Sequence, residues 1–217
     1  MEKVKEIPAS PWDIVLLPVW VHKKLSVRIR GLIVAFLLIG LFDLVMSQNI
    51  FELGLITGEP MKMGFKLILT VIAAFVLGAV DVICTMVPIA EFTMMIGRRS
   101  EKYVSARLPV ILMKSYALSH ILFVIPYAVL NYSGINWNNV DAQAPSSIRL
   151  LFSFLVILIN VLPYLQLGVI YRTFSVRTRI QVFGKLILLL ATYFWIQISS
   201  GAIVFVKYLL ERIIISF

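Results

Sequence analysis

Two carboxylates, Asp81 and Glu91, stand inside the apolar stretch AAFVLGAVDVICTMVPIAEF, residues 73–92. Two bases, Lys114 and His120, stand inside the next one, LPVILMKSYALSHILFVIPYAVL, residues 108–130. An ionised group at mid-membrane costs roughly 2.5–3.5 kcal/mol on insertion scales, so such residues pair, or mark a path for protons or ions. A helix running toward the basic link Arg98–Arg107 and one running away from it bring two pairs to matching depths. Glu91 meets Lys114 near the surface, and Asp81 meets His120 at mid-depth. The first pair is an ion pair. The second is a hydrogen-bonded pair whose charge depends on protonation of the imidazole.

The elements that must position these side chains are legible in the composition. Of 217 residues, 60% are hydrophobic, against about 45–50% in soluble domains. Mean hydropathy is +0.96. The apolar residues fall in five blocks: 31–47, 65–96, 108–130, 150–171 and 180–206. A helical span takes ~20 residues, so the sequence predicts an all-α polytopic membrane protein with five transmembrane helices. The second block is overlong, which predicts a tilt, a break near Pro88, or protrusion from the bilayer. Residues 1–30 form a cytoplasmic amphipathic N-terminal segment and 31–217 the membrane domain, with no room for a separate soluble domain. No small-residue cleavage site follows the first apolar block, so no removable signal peptide is expected.

Lysine and arginine set the orientation. Fourteen of them fall in the N-terminal segment, the second link and the fourth link with its edge. Five fall on the alternate side: Lys62, Lys66, Arg149, Lys207 and Arg212. The positive-inside rule then predicts a multi-pass plasma-membrane protein with a cytoplasmic N-terminus and an external C-terminus. The sequon Asn131-Tyr132-Ser133 lies at the membrane edge, where a transferase reaches poorly.

SPWDIVLLPVWVHKK, residues 10–24, opens as a helix, with Ser10 as cap and Pro11 at the first helical position. Pro18 breaks it, leaving a short interfacial helix. Trp12, Trp20, Lys23 and Lys24 anchor this segment at an anionic bilayer surface, or present it to a partner. Within the spans, Ala74 and Gly78 have the spacing that lets a neighbouring helix approach closely. Trp195 and Tyr193 read as packing.

Several function classes are excluded or weakened. Cys84 is the one cysteine, so no intrachain disulfide forms. No His/Cys cluster holds a metal, and no HExxH, GxSxG or Walker A segment supports catalysis. Neither a cofactor nor nucleic-acid binding is expected.

Three stretches carry a likeness: SPWDIVLLPVWVHKK, IGRRSEKYVSARLPVILMKSYALSHILFVIPY, and LPYLQLGVIYRTFSVRTRIQVFGKLILLL, the last with Gly168 and Ser175 in order. The chain resembles the Yip (Ypt/Rab-interacting protein) domain family in its bacterial form. The resemblance implies a non-enzymatic role through contacts with other membrane proteins. Eukaryotic relatives act in membrane traffic, and some bacterial members accompany ABC-type exporters. The expected function is therefore that of a non-enzymatic integral membrane protein accessory to an export or trafficking assembly. The alternative is a small transporter or permease subunit that uses Asp81, His120, Glu91 and Lys114. Polar groups scattered through the membrane, rather than gathered at one depth, favour the first.

Overall fold

A computed structural model describes residues 11–46, 60–101, 104–140 and 143–216. Most of those residues are helical, and no strand occurs among them. A 3-10 turn, Pro11–Asp13, precedes α1 (Val19–Lys24), α2 (Arg30–Leu41), α3 (Pro60–Arg99), α4 (Leu108–Ser119), α5 (Ile121–Tyr132), α6 (Ser146–Arg177) and α7 (Val182–Ser216). Four helical stretches are long and apolar enough to cross a membrane: α3, α4 with α5, α6, and α7. The first expected span is shorter. It comprises α2 and a π turn, Phe42–Met46, which ends where the described residues pause. The expected break in α3 does not occur: the helix runs for 40 residues, or about 60 Å.

Its continuity through Pro88 has a local cause. Proline has no N–H, so the Cys84 carbonyl one turn earlier loses its helical donor. The Trp195 indole N–H of α7 donates to that carbonyl at 3.0 Å. A freed backbone group is thereby satisfied from the neighbouring helix. Trp195 is a packing residue with a second task.

The bundle is tightest where α2 crosses α3. A Cβ at Gly40 would stand 1.7 Å from the Ala74 carbonyl oxygen, and one at Gly78 would stand 1.8 Å from that of Phe36. Ala74 and Gly78 thus do what their spacing suggested, and Gly40 completes the contact from the other side. Below it, Met86, Leu112, Ile170, Phe174 and Leu188 interlock α3, α4, α6 and α7 in the largest core cluster. The outward faces carry exposed apolar residues such as Ile72, Ile157, Phe194 and Phe205, as expected of surfaces solvated by hydrocarbon.

The N-terminal segment is fastened to the end of α6. Asp13 pairs with Arg172. Arg177 donates to the carbonyls of His22, Lys23 and Leu25 at 2.9, 2.7 and 2.7 Å, and so caps the carboxyl end of the six-residue α1. Pro18 stands at the start of α1, which is the break its position implies. The Ser10 cap lies outside the described residues. Trp12, Trp20, Lys23 and Lys24 are exposed, and the Lys24 ammonium sits 5.1 Å over the Trp20 ring.

His22 itself is fully buried between this segment and α6. Its Nε2 faces the Leu16 carbonyl at 3.1 Å and its Nδ1 the Thr173 hydroxyl at 2.8 Å. A carbonyl only accepts, so Nε2 carries a proton, and Nδ1 shares the Thr173 hydroxyl with the Val169 carbonyl. Burial pushes the imidazole pKa below its ordinary value, and Arg172 and Arg177 act in the same direction. The unfolded chain therefore binds this proton more readily than the fold does. Stability contributed at His22 is whole above about pH 6.5, the free imidazole value, and is lost as pH falls below it. Thermal unfolding in detergent should drop by a few degrees between pH 7 and pH 5, and His22→Gln should flatten that slope. A slope unchanged in the variant would contradict the assignment.

Candidate functional site

The inward face of α3 carries Asp81, Thr85, Ile89 and Thr93 at one-turn spacing, all buried. Asp81 is the hub of a polar cluster at mid-helix. The Tyr116 hydroxyl of α4 donates to its two carboxylate oxygens at 3.0 and 3.3 Å. The Thr85 hydroxyl, one turn along α3, donates to Oδ1 at 3.1 Å. Thr85 also meets the Ser199 hydroxyl of α7 at 3.3 Å. His120 Nε2 lies 4.0 Å from Asp81 Oδ2. The carboxylate joins α3 to α4, and Thr85 carries the link on to α7.

The expected Asp81–His120 neighbourhood forms, but with Tyr116 as the direct partner. His120 Nδ1 faces the Tyr116 carbonyl at 2.9 Å, so Nδ1 carries a proton and Nε2 is the nitrogen turned to Asp81. At 4.0 Å that contact is an ion pair only when the ring holds both protons. Phe42, Tyr116 and Phe123 surround the ring, with centroids at 5.7, 4.6 and 5.9 Å.

The same interaction explains the break between α4 and α5. The Ser119 hydroxyl takes the Tyr116 carbonyl at 2.6 Å and the His120 ring takes it too. The His120 backbone N–H then turns to Ala117, three residues back, at 3.2 Å. Side chains that compete for helical carbonyls bend helices in this way.

The second expected pair does not form. Glu91 is exposed on the outer face of α3, because two residues beyond buried Ile89 is about 200° around a helix. Lys114 donates instead to Ser26 O, Ser26 Oγ and Arg28 O at 2.9, 2.9 and 2.7 Å. The ammonium has three N–H groups and all are spent on the segment that enters α2. The helix azimuth of Glu91, which depth alone does not fix, turns it outward.

A second polar group lies on the outside. Asn160 of α6 and Gln197 of α7 are both exposed, about midway between the charged ends of their helices (Arg149 and Arg172; Lys185 and Lys207). Tyr164 and Tyr193, one turn away on the same faces, stack at 6.2 Å. Since α6 and α7 run antiparallel, Asn160 and Gln197 lie at one level. Asn160 donates to the Val156 carbonyl of its own helix at 2.7 Å. The Gln197 side-chain amide has no partner among the described residues. No group of metal-ligating side chains occurs among the described residues. Asn131 of the sequon is engaged by its amide, which donates to Met46 O and Tyr127 O at 2.6 and 3.1 Å.

Comparison of the chain with family models, with curated proteins and with solved structures gives no match.

Proposed function

We propose that this is a non-enzymatic integral membrane protein that works by binding another membrane protein, and that it docks through the outer face of α6 and α7. One observation carries the reading: the polar patch of Asn160 and Gln197, flanked by the Tyr164–Tyr193 stack, faces outward at the middle of two apolar helices. A side-chain amide in hydrocarbon without a partner costs free energy, whereas polar side chains between helices hold transmembrane assemblies together. Ser200 and Gly201, also exposed, leave room for a helix backbone beside Gln197, and open space surrounds Gly201.

The fold that carries this face is a five-span one, with Arg30–Met46 as the first and shortest crossing and the segment around Trp12, Trp20, Lys23 and Lys24 lying at the interface. In support, Arg28, Arg30 and Arg107 share one cleft, Arg172 and Arg177 grip the N-terminal segment, and Arg99 adjoins the start of α7. The basic set is thus gathered at one end of the bundle. The positive-inside rule makes that end cytoplasmic and leaves the C-terminus outside the cell membrane. Such a protein fits the bacterial Yip-type resemblance, in which an exporter assembly is a suitable partner. A proton or ion path is the less supported reading, because only one of its two pairs forms and its central acid is committed to the hydroxyls of Tyr116 and Thr85.

The test is affinity purification from native membranes. Asn160→Leu with Gln197→Leu should lose the partner that wild type retains, with thermal stability unchanged or raised. Retention of the same partner by the double variant would overturn the docking face.

A further inference from the structure

A cleft runs down the opposite side of the molecule, between α2 and the α4–α5 pair. At its upper end Arg28, Arg30 and Arg107 line a space of about 690 Å³. All three are exposed, and no carboxylate among the described residues lies within ion-pairing distance of them. Arg28, Arg30 and Arg107 give this end of the cleft a net positive charge that favours an anion. Lys114 maintains the arrangement, since its three hydrogen bonds fix the Ser26–Arg28 backbone against α4.

Directly below, Val34, Leu38, Phe42, Ala117, Ile121 and Val124 line an apolar groove of about 340 Å³. Its wall from Gly31 to Phe42 spans eleven residue rises, or about 16 Å. Half of a hydrocarbon core of ~30 Å is about 15 Å. The groove therefore has the depth of one leaflet and begins where the arginines end.

We propose that this cleft is a binding site for a single anionic phospholipid. Its phosphate sits among Arg28, Arg30 and Arg107, and one acyl chain lies in the groove against α2 and α4–α5. Guanidinium groups match phosphate oxygens in two-point geometry, and the apolar lining of the groove suits a hydrocarbon chain. This site is independent of the α6–α7 face.

Native mass spectrometry of the purified protein, titrated with phosphatidylglycerol or phosphatidylcholine of identical chains, tests it. Wild type should prefer phosphatidylglycerol. Arg28→Gln with Arg107→Gln should weaken that lipid by roughly 30-fold, at about 1 kcal/mol per cation, and bring the two lipids level. These side chains have no internal partners, so the variant should fold with unchanged thermal stability. Val34→Trp, at a position already 59% exposed, should fill the groove and weaken both lipids. Equal binding of the two lipids by wild type, or a preference that survives the double arginine variant, would overturn the proposal. So would displacement of the bound lipid by millimolar glycerol 3-phosphate, which would make the cleft a free-phosphate site.

Discussion

Gly78→Ala should abolish the close crossing of α2 and α3, and Gly40→Ala should do the same. A methyl group at Gly78 would stand 1.8 Å from the Phe36 carbonyl oxygen, and at Gly40 1.7 Å from that of Ala74. The obstructing atoms are backbone, so no rotamer change relieves the clash and the helices must part. Overpacking a well-filled core costs about 1–3 kcal/mol, and separation of these backbones should reach the top of that range or exceed it. Leu77 and Ala74, both fully buried beside the contact, would lose their packing together. Unfolding free energy in mixed micelles reads the effect. Gly201→Ala and Gly64→Ala are the matched controls, since neither position has a neighbour within 4 Å. Alanine there should be neutral or stabilising by about 0.4–1 kcal/mol. Equal losses at all four glycines would show that the crossing is not special.

The second large effect is expected at Asp81. Asp81→Ala removes the acceptor for both Tyr116 and Thr85 and leaves two buried hydroxyls to find new partners. A buried group left unsatisfied costs about 1–3 kcal/mol, and within membranes the measured range is lower, about 0.6–1.7 kcal/mol per bond. A loss of about 2–3 kcal/mol follows for the pair. Asp81→Asn keeps one carbonyl oxygen for Tyr116 and should cost on the order of 1 kcal/mol. The functional outcome separates the two readings. If the carboxylate fixes helices, Asp81→Asn keeps the partner and the fold. If it moves protons, Asp81→Asn stops a flux while the protein stays folded. The geometry favours the first, because the acid accepts from Tyr116 and Thr85 at 3.0–3.3 Å while the imidazole stands farther away.

The helices were legible because apolar block length and basic links are one-dimensional signals. Expected spans at 65–96, 108–130, 150–171 and 180–206 correspond to α3, α4–α5, α6 and α7, which extend by up to ten residues at their ends. The extensions are polar or mixed residues that a helix accepts at no cost in water. The level of Asp81 with His120 was legible for the same reason, since both can be counted from the Arg98–Arg107 link. Which way a side chain points around its helix was harder to read. Glu91 was expected to meet Lys114, and it faces outward instead. Tyr116 and Thr85 were overlooked, although each stands one turn from a residue already singled out, on the same face. Ser199 and Gly40 carried no signal of their own; only the approach of α7 and α2 gives them roles. The Cys84–Trp195 bond was half legible: Pro88 declares an orphan carbonyl four residues earlier, but not who supplies its donor.

The central claim is that α6 and α7 present a face to another membrane protein. A photo-crosslinking amino acid at position 200 in cells, beside one at position 72 on the exposed side of α3, tests it most directly. Adducts of one discrete mass from position 200, lost on adding Gln197→Leu, with lipid-only products from position 72, are the predicted result. Lipid-only products from both positions would contradict the claim and leave α6 and α7 as ordinary bilayer-facing helices.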